Sequence, residues 1–234
     1  MSNPGFASRR GTRDHNCDSA RTYTAPDGTV TAAVIDGAGN SVELAGVVDA
    51  MSTVAVRIGY RHGGLPGLIT AGSLLVDDEY DGAAVLAGLR PGEPAVIAWI
   101  GDCRAYRWNG AELRQWTTDH TMGQQLRASG GVPVEFAKTH DHWLRTGLRG
   151  ATAATVRQVW IPDYGEQLGD GDLVVLTSDG VHDQVEHEVM TALVREHATM
   201  PTTLAAALVA SAAEKDGYRD DATAVVLRAG DTRG

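Results

Sequence analysis

Four apolar runs with the composition of β-strands each carry an aspartate at one end, and this repeated arrangement limits the fold more than any other feature of the chain. The aspartates are Asp36 after Ala-Ala-Val-Ile, Asp102 after Ile-Ala-Trp-Ile-Gly, Asp179 after Val-Val-Leu-Thr-Ser, and the pair Asp220-Asp221 before Ala-Thr-Ala-Val-Val-Leu. Short, continuous apolar runs are typical of strands buried in a sheet. A single Asp-Gly pair more often marks only a turn. Four such runs together predict carboxylates gathered at the ends of buried strands.

Carboxylates gathered in this way would repel one another, and they could not all stay ionised without a counter-charge. A divalent cation supplies that charge, and carboxylate oxygens are the ligands that magnesium and manganese prefer. Two metal ions about 3.5–4 Å apart are also a known arrangement for activating water against a phosphoryl group. Taken alone, the residues predict a carboxylate-metal site on an α+β fold.

A zinc site is the alternative that the eight histidines raise. The candidate pairs are His140 with His142 and His182 with His187. Their spacings match no zinc signature, so we interpret these histidines as exposed or core residues. The two cysteines, Cys17 and Cys103, form neither a disulfide framework nor a CxxC motif, and we expect reduced thiols.

The hydrophobic pattern predicts strands and helices in blocks. Predicted strands are 18–24, 30–35, 83–89, 95–100, 104–108, 112–116, 173–177 and 222–227, and predicted helices are 42–60, 121–130, 185–197 and 202–213, with a shorter helix within 65–78. We expect loop-rich structure from 131 to 156, and frayed ends over about the first ten residues and from Ala229 onward. Strands joined by hairpins, with helices grouped between them, predict an α+β layered sandwich.

Composition limits the class of protein. The 234 residues suit a single domain over 1–234. Acidic residues outnumber basic ones by 30 to 20, which argues against nucleic acid and anionic membranes as partners. The sequence has no run of about 20 apolar residues and no apolar segment near the N-terminus. We therefore expect a cytoplasmic protein without a membrane span.

Seven segments resemble, in their order along the chain, the motifs of the metal-dependent serine/threonine protein phosphatases of type 2C (PPM), bacterial type. They are Arg13-Asp-His-Asn-Cys-Asp18, Val34-Ile-Asp-Gly-Ala-Gly39, Ile100-Gly-Asp-Cys-Arg-Ala-Tyr106, Thr118-Asp-His-Thr121, Leu144-Arg-Thr-Gly-Leu-Arg-Gly150, Gly171-Asp-Leu-Val-Val-Leu-Thr-Ser-Asp-Gly180 and Arg219-Asp-Asp-Ala-Thr223. Any one of these motifs alone is weak. The whole set, from Arg13 to Leu227, is specific.

The resemblance implies a four-layer α-β-β-α sandwich, with two mainly antiparallel central sheets flanked by helix pairs. It also implies hydrolysis of phosphoserine and phosphothreonine in proteins by direct attack of water, without a nucleophilic side chain. Two and possibly three Mn²⁺ or Mg²⁺ ions would be the cofactors. The implied partner is a phosphorylated protein, in a circuit that opposes a serine/threonine kinase.

The same resemblance implies the role of each site residue. Asp36 would bridge two metals, with the Gly37 carbonyl as a further ligand. Asp179 and Asp220 would complete the shell of one metal, and Asp18 would contact a metal or its water. Asp102 would hold a third metal together with Asp179. Arg13 would grip the phosphate, because a guanidinium matches phosphate oxygens in a two-pronged hydrogen bond. From the residues alone, Arg13 is equally well a solvated arginine in a basic stretch with Arg9 and Arg10.

The chain departs from the family motifs in several places. Cys17 stands where the family usually carries Glu or Gln, the stretch from Gly39 to Ala95 is short, and Gly82-Ala-Ala-Val85 lacks the threonines expected there. The segment 120–146 resembles a flap over the active site and is expected to influence substrate choice. These departures keep open a second hypothesis, a weak or inactive relative that binds phosphoproteins or partners. A third is a branch that serves one dedicated partner.

Overall fold

Two five-stranded sheets form the centre of the molecule in the computed structural model, which describes residues 3–161, 168–214 and 217–230. The strands are β1 (Gly5–Arg9), β2 (Asp18–Thr24), β3 (Val30–Ala38), β4 (Asp81–Leu89), β5 (Ala95–Ile100), β6 (Arg104–Trp108), β7 (Leu113–Gln115), β8 (Arg157–Ile161), β9 (Leu173–Thr177) and β10 (Ala222–Arg228). The first sheet has the order β1-β10-β9-β6-β7, the second has the order β2-β3-β4-β5-β8, and these neighbours pair antiparallel.

The helices lie in groups between the strands. They are α1 (Val42–His62), α2 (Gly64–Gly72), α3 (Met122–Ser129), α4 (Val134–Lys138), α5 (Asp179–His182), α6 (His187–His197) and α7 (Pro201–Ser211), with a 3-10 turn at Leu148–Gly150. Among the described helices, none combines the length and the apolar character needed to cross a bilayer.

Successive side chains on the strands point into different apolar cores, and this divides the molecule into four layers. On β3, Val34 lies in the core between the two sheets, whereas Ile35 lies in a core with residues of α1 and α2. On β9, Leu176 faces the core between the sheets and Val175 packs with residues of α6 and α7. The alternation follows from the two-residue period of a strand. The predicted α+β sandwich, with its helix-sheet-sheet-helix order, is confirmed.

Helix α1 shows how the sequence fixes one outer layer. Ser41 caps the helix, because its side chain accepts a hydrogen bond of 3.1 Å from the Leu44 backbone N–H. Leu44, Val48, Met51 and Ala55 recur at helical spacing and are fully or almost fully buried. The helix ends at Gly63, whose φ of 94° is open to glycine at little cost. This packing holds β3 from its outer face.

The structure corrects several predictions about secondary structure. Residues 5–9, expected to be frayed, form β1 and pair with β10, because the last strand offers an edge that local sequence does not reveal. Strand β8 was not predicted, and the loop-rich region contains α4 and the 3-10 turn. In the tail, Ala229 is held by a hydrogen bond of 2.8 Å to the Asp172 carbonyl. Residues 231–234, also predicted to be frayed, lie outside the described residues.

Candidate metal centre

Strand pairing brings the predicted aspartates to one end of the two sheets. Asp18, the first residue of β2, lies directly opposite Asp36 on β3. Asp102 follows β5, whose last residue pairs with Ala84 near the same end. In the other sheet, Thr177 of β9 pairs with Ala224 of β10, so residues just after β9 and just before β10 are neighbours. The site therefore combines carboxylates from both sheets.

Ser178 ties the two sheets together at this end. Its hydroxyl donates a hydrogen bond of 2.7 Å to the Asp18 carboxylate. The same oxygen accepts a bond of 3.0 Å from the Thr223 backbone N–H, and the Ser178 N–H donates to the Thr223 carbonyl at 3.0 Å. A buried hydroxyl that is satisfied in this way fixes the position of Asp18 relative to β9 and β10.

The carboxylates act strongly on one another. Burial raises the pKa of Asp18 to about 8, with the charge of Asp179 adding to the effect and the Ser178 hydrogen bond opposing it. Burial also raises the pKa of Asp36 well above its usual range, and the charges of Asp179, Asp18 and Asp102 raise it further. Such shifts require these groups to be close together in a site with little water.

Asp179 and Asp102 belong to the same electrostatic group. Burial and then the charge of Asp220 raise the pKa of Asp179. Burial, followed by the charges of Asp179 and Asp119, raises the pKa of Asp102 well above its usual range. The predicted metal-binding aspartates are thus brought together, and Gly37 lies directly after Asp36 on β3. Their roles as ligands stay predictions.

The donor set fits divalent cations. Asp36 and Asp179 come from different sheets, and the charge of Asp179 is the largest neighbouring charge that raises the pKa of Asp36. A cation bound there would relieve the repulsion among the neighbouring carboxylates. As the side chains stand in the described part of the chain, no group of three or more acidic, histidine or cysteine residues is placed to hold a metal ion. An all-oxygen set of this kind suits Mg²⁺ or Mn²⁺ better than zinc.

Arg13 lies at the edge of the acidic group. Its Nη2 atom is 3.2 Å from Asp220 Oδ1 and donates a hydrogen bond of 2.6 Å to the Tyr218 hydroxyl. Nη1 donates to the Gly39 carbonyl at 3.2 Å. The charge of Arg13 also lowers the pKa of Asp179, although by less than burial raises it. About a third of the side chain is exposed, so a bound anion could reach the guanidinium.

The Cys17 side chain lies in an apolar core. This core lies beneath α1 and includes Leu44 and Val48, and burial raises the pKa of the Cys17 thiol. Its backbone remains part of the site, because the Cys17 carbonyl accepts a bond of 2.9 Å from the Gly37 N–H. The cysteine therefore adds packing where the family motif has a polar side chain.

Two neighbours of the site were given no role from the sequence. Asp221 is only 3% exposed, and its carboxylate accepts hydrogen bonds from the backbone N–H groups of Gly11 at 2.7 Å and Cys17 at 2.8 Å. It fastens the segment that carries Arg13. Asp183 follows Asp179 by one helical turn, and partial desolvation together with the charge of Asp179 raises its pKa to about 6. The spacing of four residues was the signal that could have identified Asp183.

The histidines considered for a zinc site make different contacts. His182 is buried and its Nδ1 atom is 2.8 Å from Thr177 Oγ1, whereas the His187 ring lies 6.2 Å from the Tyr106 ring. His140 contacts aromatic rings on the flap. His182, His187 and His140 therefore each contact a side chain of another residue.

No family model matches the chain. Its sequence matches curated proteins, and its structure matches solved structures. The serine/threonine phosphatase stp of Listeria monocytogenes is 25% identical over 119 residues, which are 51% of this chain and 46% of that protein. The corresponding protein of Listeria welshimeri is 27% identical over 109 residues, which are 47% of this chain and 42% of that protein. The chain thus matches about half the length of these curated relatives.

Solved structures match over almost the whole chain. The serine/threonine phosphatase of S. agalactiae superposes with a TM-score of 0.78 at 17% identity, covering 97% of this chain and 99% of that one. The PPM Ser-Thr phosphatase MsPP of Mycobacterium smegmatis, solved with cacodylate, has a TM-score of 0.72 at 23% identity and covers 97% and 98%. The catalytic domain of PstP, solved with two manganese ions, has a TM-score of 0.71 at 22% identity and covers 98% of each chain. The expected likeness is confirmed, and the chain has the fold of the bacterial PPM-type serine/threonine phosphatases.

Proposed function

We propose that this protein is a metal-dependent phosphoprotein phosphatase that hydrolyses phosphoserine and phosphothreonine. The observation that carries the proposal is the gathering of buried aspartates from both sheets: Asp18 lies opposite Asp36 on the neighbouring strand, and Ser178, beside Asp179 in the other sheet, donates a hydrogen bond of 2.7 Å to Asp18. A concentration of buried acid groups costs stability unless a cation or reaction uses it. The fold and the names of its relatives favour phosphoryl hydrolysis.

The proposed metal ligands are the oxygens of Asp36, Gly37, Asp179 and Asp220, with Asp18 in contact with a metal or its water. Asp102 and Asp179 would hold a third ion. Divalent ions bound there would neutralise phosphate charge and activate water for in-line attack on phosphorus.

The protein side chains orient the reaction. The Ser178 hydroxyl holds the Asp18 carboxylate, so Asp18 keeps one orientation toward the water that it would position. Arg13 would bind the phosphate oxygens and balance the charge that develops on them in the transition state. It already lies beside Asp220, and phosphate would compete with that aspartate for the guanidinium. No nucleophilic side chain is needed.

The proposed substrate is a phosphorylated protein, and the proposed setting is a cytoplasmic circuit that opposes a serine/threonine kinase. The names of the curated relatives support the substrate class. The formal charge of −10 supports the expected absence of nucleic acid and anionic membrane partners.

The test is an assay of para-nitrophenyl phosphate and a phosphothreonine peptide with manganese, with magnesium and with EDTA. We expect turnover that requires metal and that falls at least a hundredfold in Asp179→Asn. Asp14→Asn, an exposed aspartate beside Arg13, is the matched control and should keep wild-type turnover. Absence of turnover from folded protein with either metal would refute the proposal.

The inward packing of Cys17 is the one observation that favours a weak or inactive relative. The family motif places a polar side chain there, and this chain has an apolar contact instead. Under this second hypothesis the wild type binds phosphopeptide without turnover, and Cys17→Gln gains activity. Strong metal-dependent turnover by the wild type would exclude it.

A further inference from the structure

Three rings form an exposed patch on the flap, residues 120–146. Phe136 is 51% exposed and Trp143 is 55% exposed, and the His140 ring lies between them. Its centroid is 4.8 Å from each of the other two. We call Phe136, His140 and Trp143 the aromatic patch. Large rings in contact with one another and with solvent are typical of surfaces that bind a partner.

Hydrogen bonds hold the aromatic patch in one arrangement. The Met122 N–H donates to the Trp143 carbonyl at 2.8 Å, and the Gly123 N–H donates to the His140 carbonyl at 3.0 Å. The His140 Nδ1 atom lies 2.9 Å from the Phe136 carbonyl. Because the first residues of α3 bind the carbonyls of His140 and Trp143, these rings are ordered before any partner binds. A preorganised surface loses little conformational entropy on binding.

The base of the flap lies next to the acidic centre. The His120 N–H donates to the Gly101 carbonyl at 2.8 Å, one residue before Asp102, and the Arg145 N–H donates to the His120 carbonyl at 2.8 Å. Asp141, between two patch residues, is one of the charges that raise the pKa of Asp183, and Asp183 also responds to Asp179. The rings therefore belong to a segment that is anchored at the edge of the acidic centre, within reach of a peptide that extends from the carboxylates.

The charge of the flap suits an anionic peptide. The flap, residues 120–146, has three basic residues, Arg127, Lys138 and Arg145, and two acidic ones, Glu135 and Asp141. Arg127 pairs with Asp141 at 2.6 Å, which leaves Lys138 and Arg145 against Glu135. The whole chain has a formal charge of −10, so this segment is locally basic in an acidic protein. A phosphorylated segment would be repelled by most of the surface and less by the flap.

We propose that the aromatic patch binds an apolar side chain of the protein substrate close to the phosphorylated residue. The inference rests on the proposed phosphatase function and adds a preference among substrates to it. Phosphopeptides with an aromatic or large aliphatic residue near the phosphothreonine are the favoured class. The occupant is the substrate itself rather than a second copy of this chain.

The test compares phosphothreonine peptides that are identical except for one phenylalanine, moved from four residues before to four residues after the phosphothreonine, or replaced by serine. We expect the wild type to prefer at least one phenylalanine position by about tenfold in kcat/KM, the size of one well-packed ring contact. Trp143→Ala and Phe136→Ala should remove this preference. Turnover of para-nitrophenyl phosphate, which is too small to reach the patch, should change less than twofold.

Trp160→Ala is the matched control. Trp160 is 47% exposed on β8 and pairs with Val96, at the end of β5 far from Asp102. Its replacement should leave the peptide preference intact, and Trp143→Phe should retain much of it. An equal loss in Trp160→Ala, or no peptide preference in an active wild type, would overturn the proposal.

Peptide binding to Asp179→Asn, measured by fluorescence polarisation with each peptide, tests the aromatic patch separately from catalysis. Preferential binding of the phenylalanine peptide there supports the patch even if turnover is absent, so failure of the two proposals can be distinguished. Analytical sedimentation tests whether a second copy of this chain, rather than the substrate, occupies the aromatic patch. If Trp143→Ala converts a dimer to a monomer without changing peptide selectivity, the patch is a contact between copies and the proposal is wrong.

Discussion

Replacing Asp221 by alanine should destabilise the protein by about 3–4 kcal/mol. The buried carboxylate accepts two backbone N–H groups, from Gly11 and Cys17, at 2.7 and 2.8 Å. A hydrogen bond to a charged group contributes about 1.5–3 kcal/mol, and both donors would be left buried and unpaired. Two such bonds give about 3–6 kcal/mol. Part of this is offset, because the Asp221 charge raises the pKa of Asp18 and its removal relieves that repulsion.

Urea denaturation of the metal-free protein, followed by circular dichroism, measures this effect. In thermal denaturation of a chain of this size, the same loss of 3–4 kcal/mol lowers Tm by about 6–16 °C. Asp221→Asn retains one acceptor oxygen and should lose about half as much free energy. Asp14→Ala, in the same segment but exposed, is the control and should change stability by less than about 0.5 kcal/mol. An Asp221→Ala variant within 1 kcal/mol of the wild type would refute the assignment of Asp221 as the anchor of this segment.

Three further predictions concern charged residues of the site. Because burial raises the pKa of Asp18 to about 8, the folded state binds more protons than the unfolded state between about pH 4 and pH 8. The metal-free protein should therefore lose stability as pH rises through this range, and manganese at pH 8 should restore it. Asp18→Asn should make the profile less steep without abolishing it, because the raised pKa values of Asp36, Asp102 and Asp179 act in the same direction. A flat wild-type profile in EDTA would contradict this. Arg104 makes a two-pronged pair with Asp119, with Nε 3.0 Å from Oδ1 and Nη2 2.6 Å from Oδ2. Asp119→Ala should therefore lower the free energy of unfolding by about 2 kcal/mol, measured by chemical denaturation. An unchanged denaturation midpoint would exclude a stabilising role for this pair. Arg13→Lys keeps the charge but loses the planar fork, and we expect kcat/KM for para-nitrophenyl phosphate to fall about tenfold or more, whereas full activity would exclude phosphate binding by Arg13.

The acidic residues at the strand ends could be predicted because their signal is local. An apolar run that ends in Asp36 or Asp179 predicts both that the strand is buried and that the carboxylate lies at its end. The layered sandwich followed for the same reason, since strand runs and helix periodicity are properties of short windows. These local signals were enough to place the candidate site at the ends of the strands.

Other features depend on contacts that no short window contains. Asp221 binds residues about 200 positions away, and its own sequence context does not distinguish it from Asp220. Strand β1 is an edge strand in which every second residue is exposed, so its apolar pattern is weak. Its position is fixed by pairing with β10. The inward packing of Cys17 likewise required the position of α1.

The assembly of the acidic group from both sheets has a consequence for how the chain matures during synthesis. Asp18 and Asp36 leave the ribosome well before Asp179, Asp220 and strand β10, which pairs with β1. A nascent chain that carries only the first two aspartates holds one half of the carboxylate group without the other. If these aspartates are the proposed metal ligands, tight capture of metal requires β9 and β10 to be made, so a product truncated before them would be inactive rather than partly active.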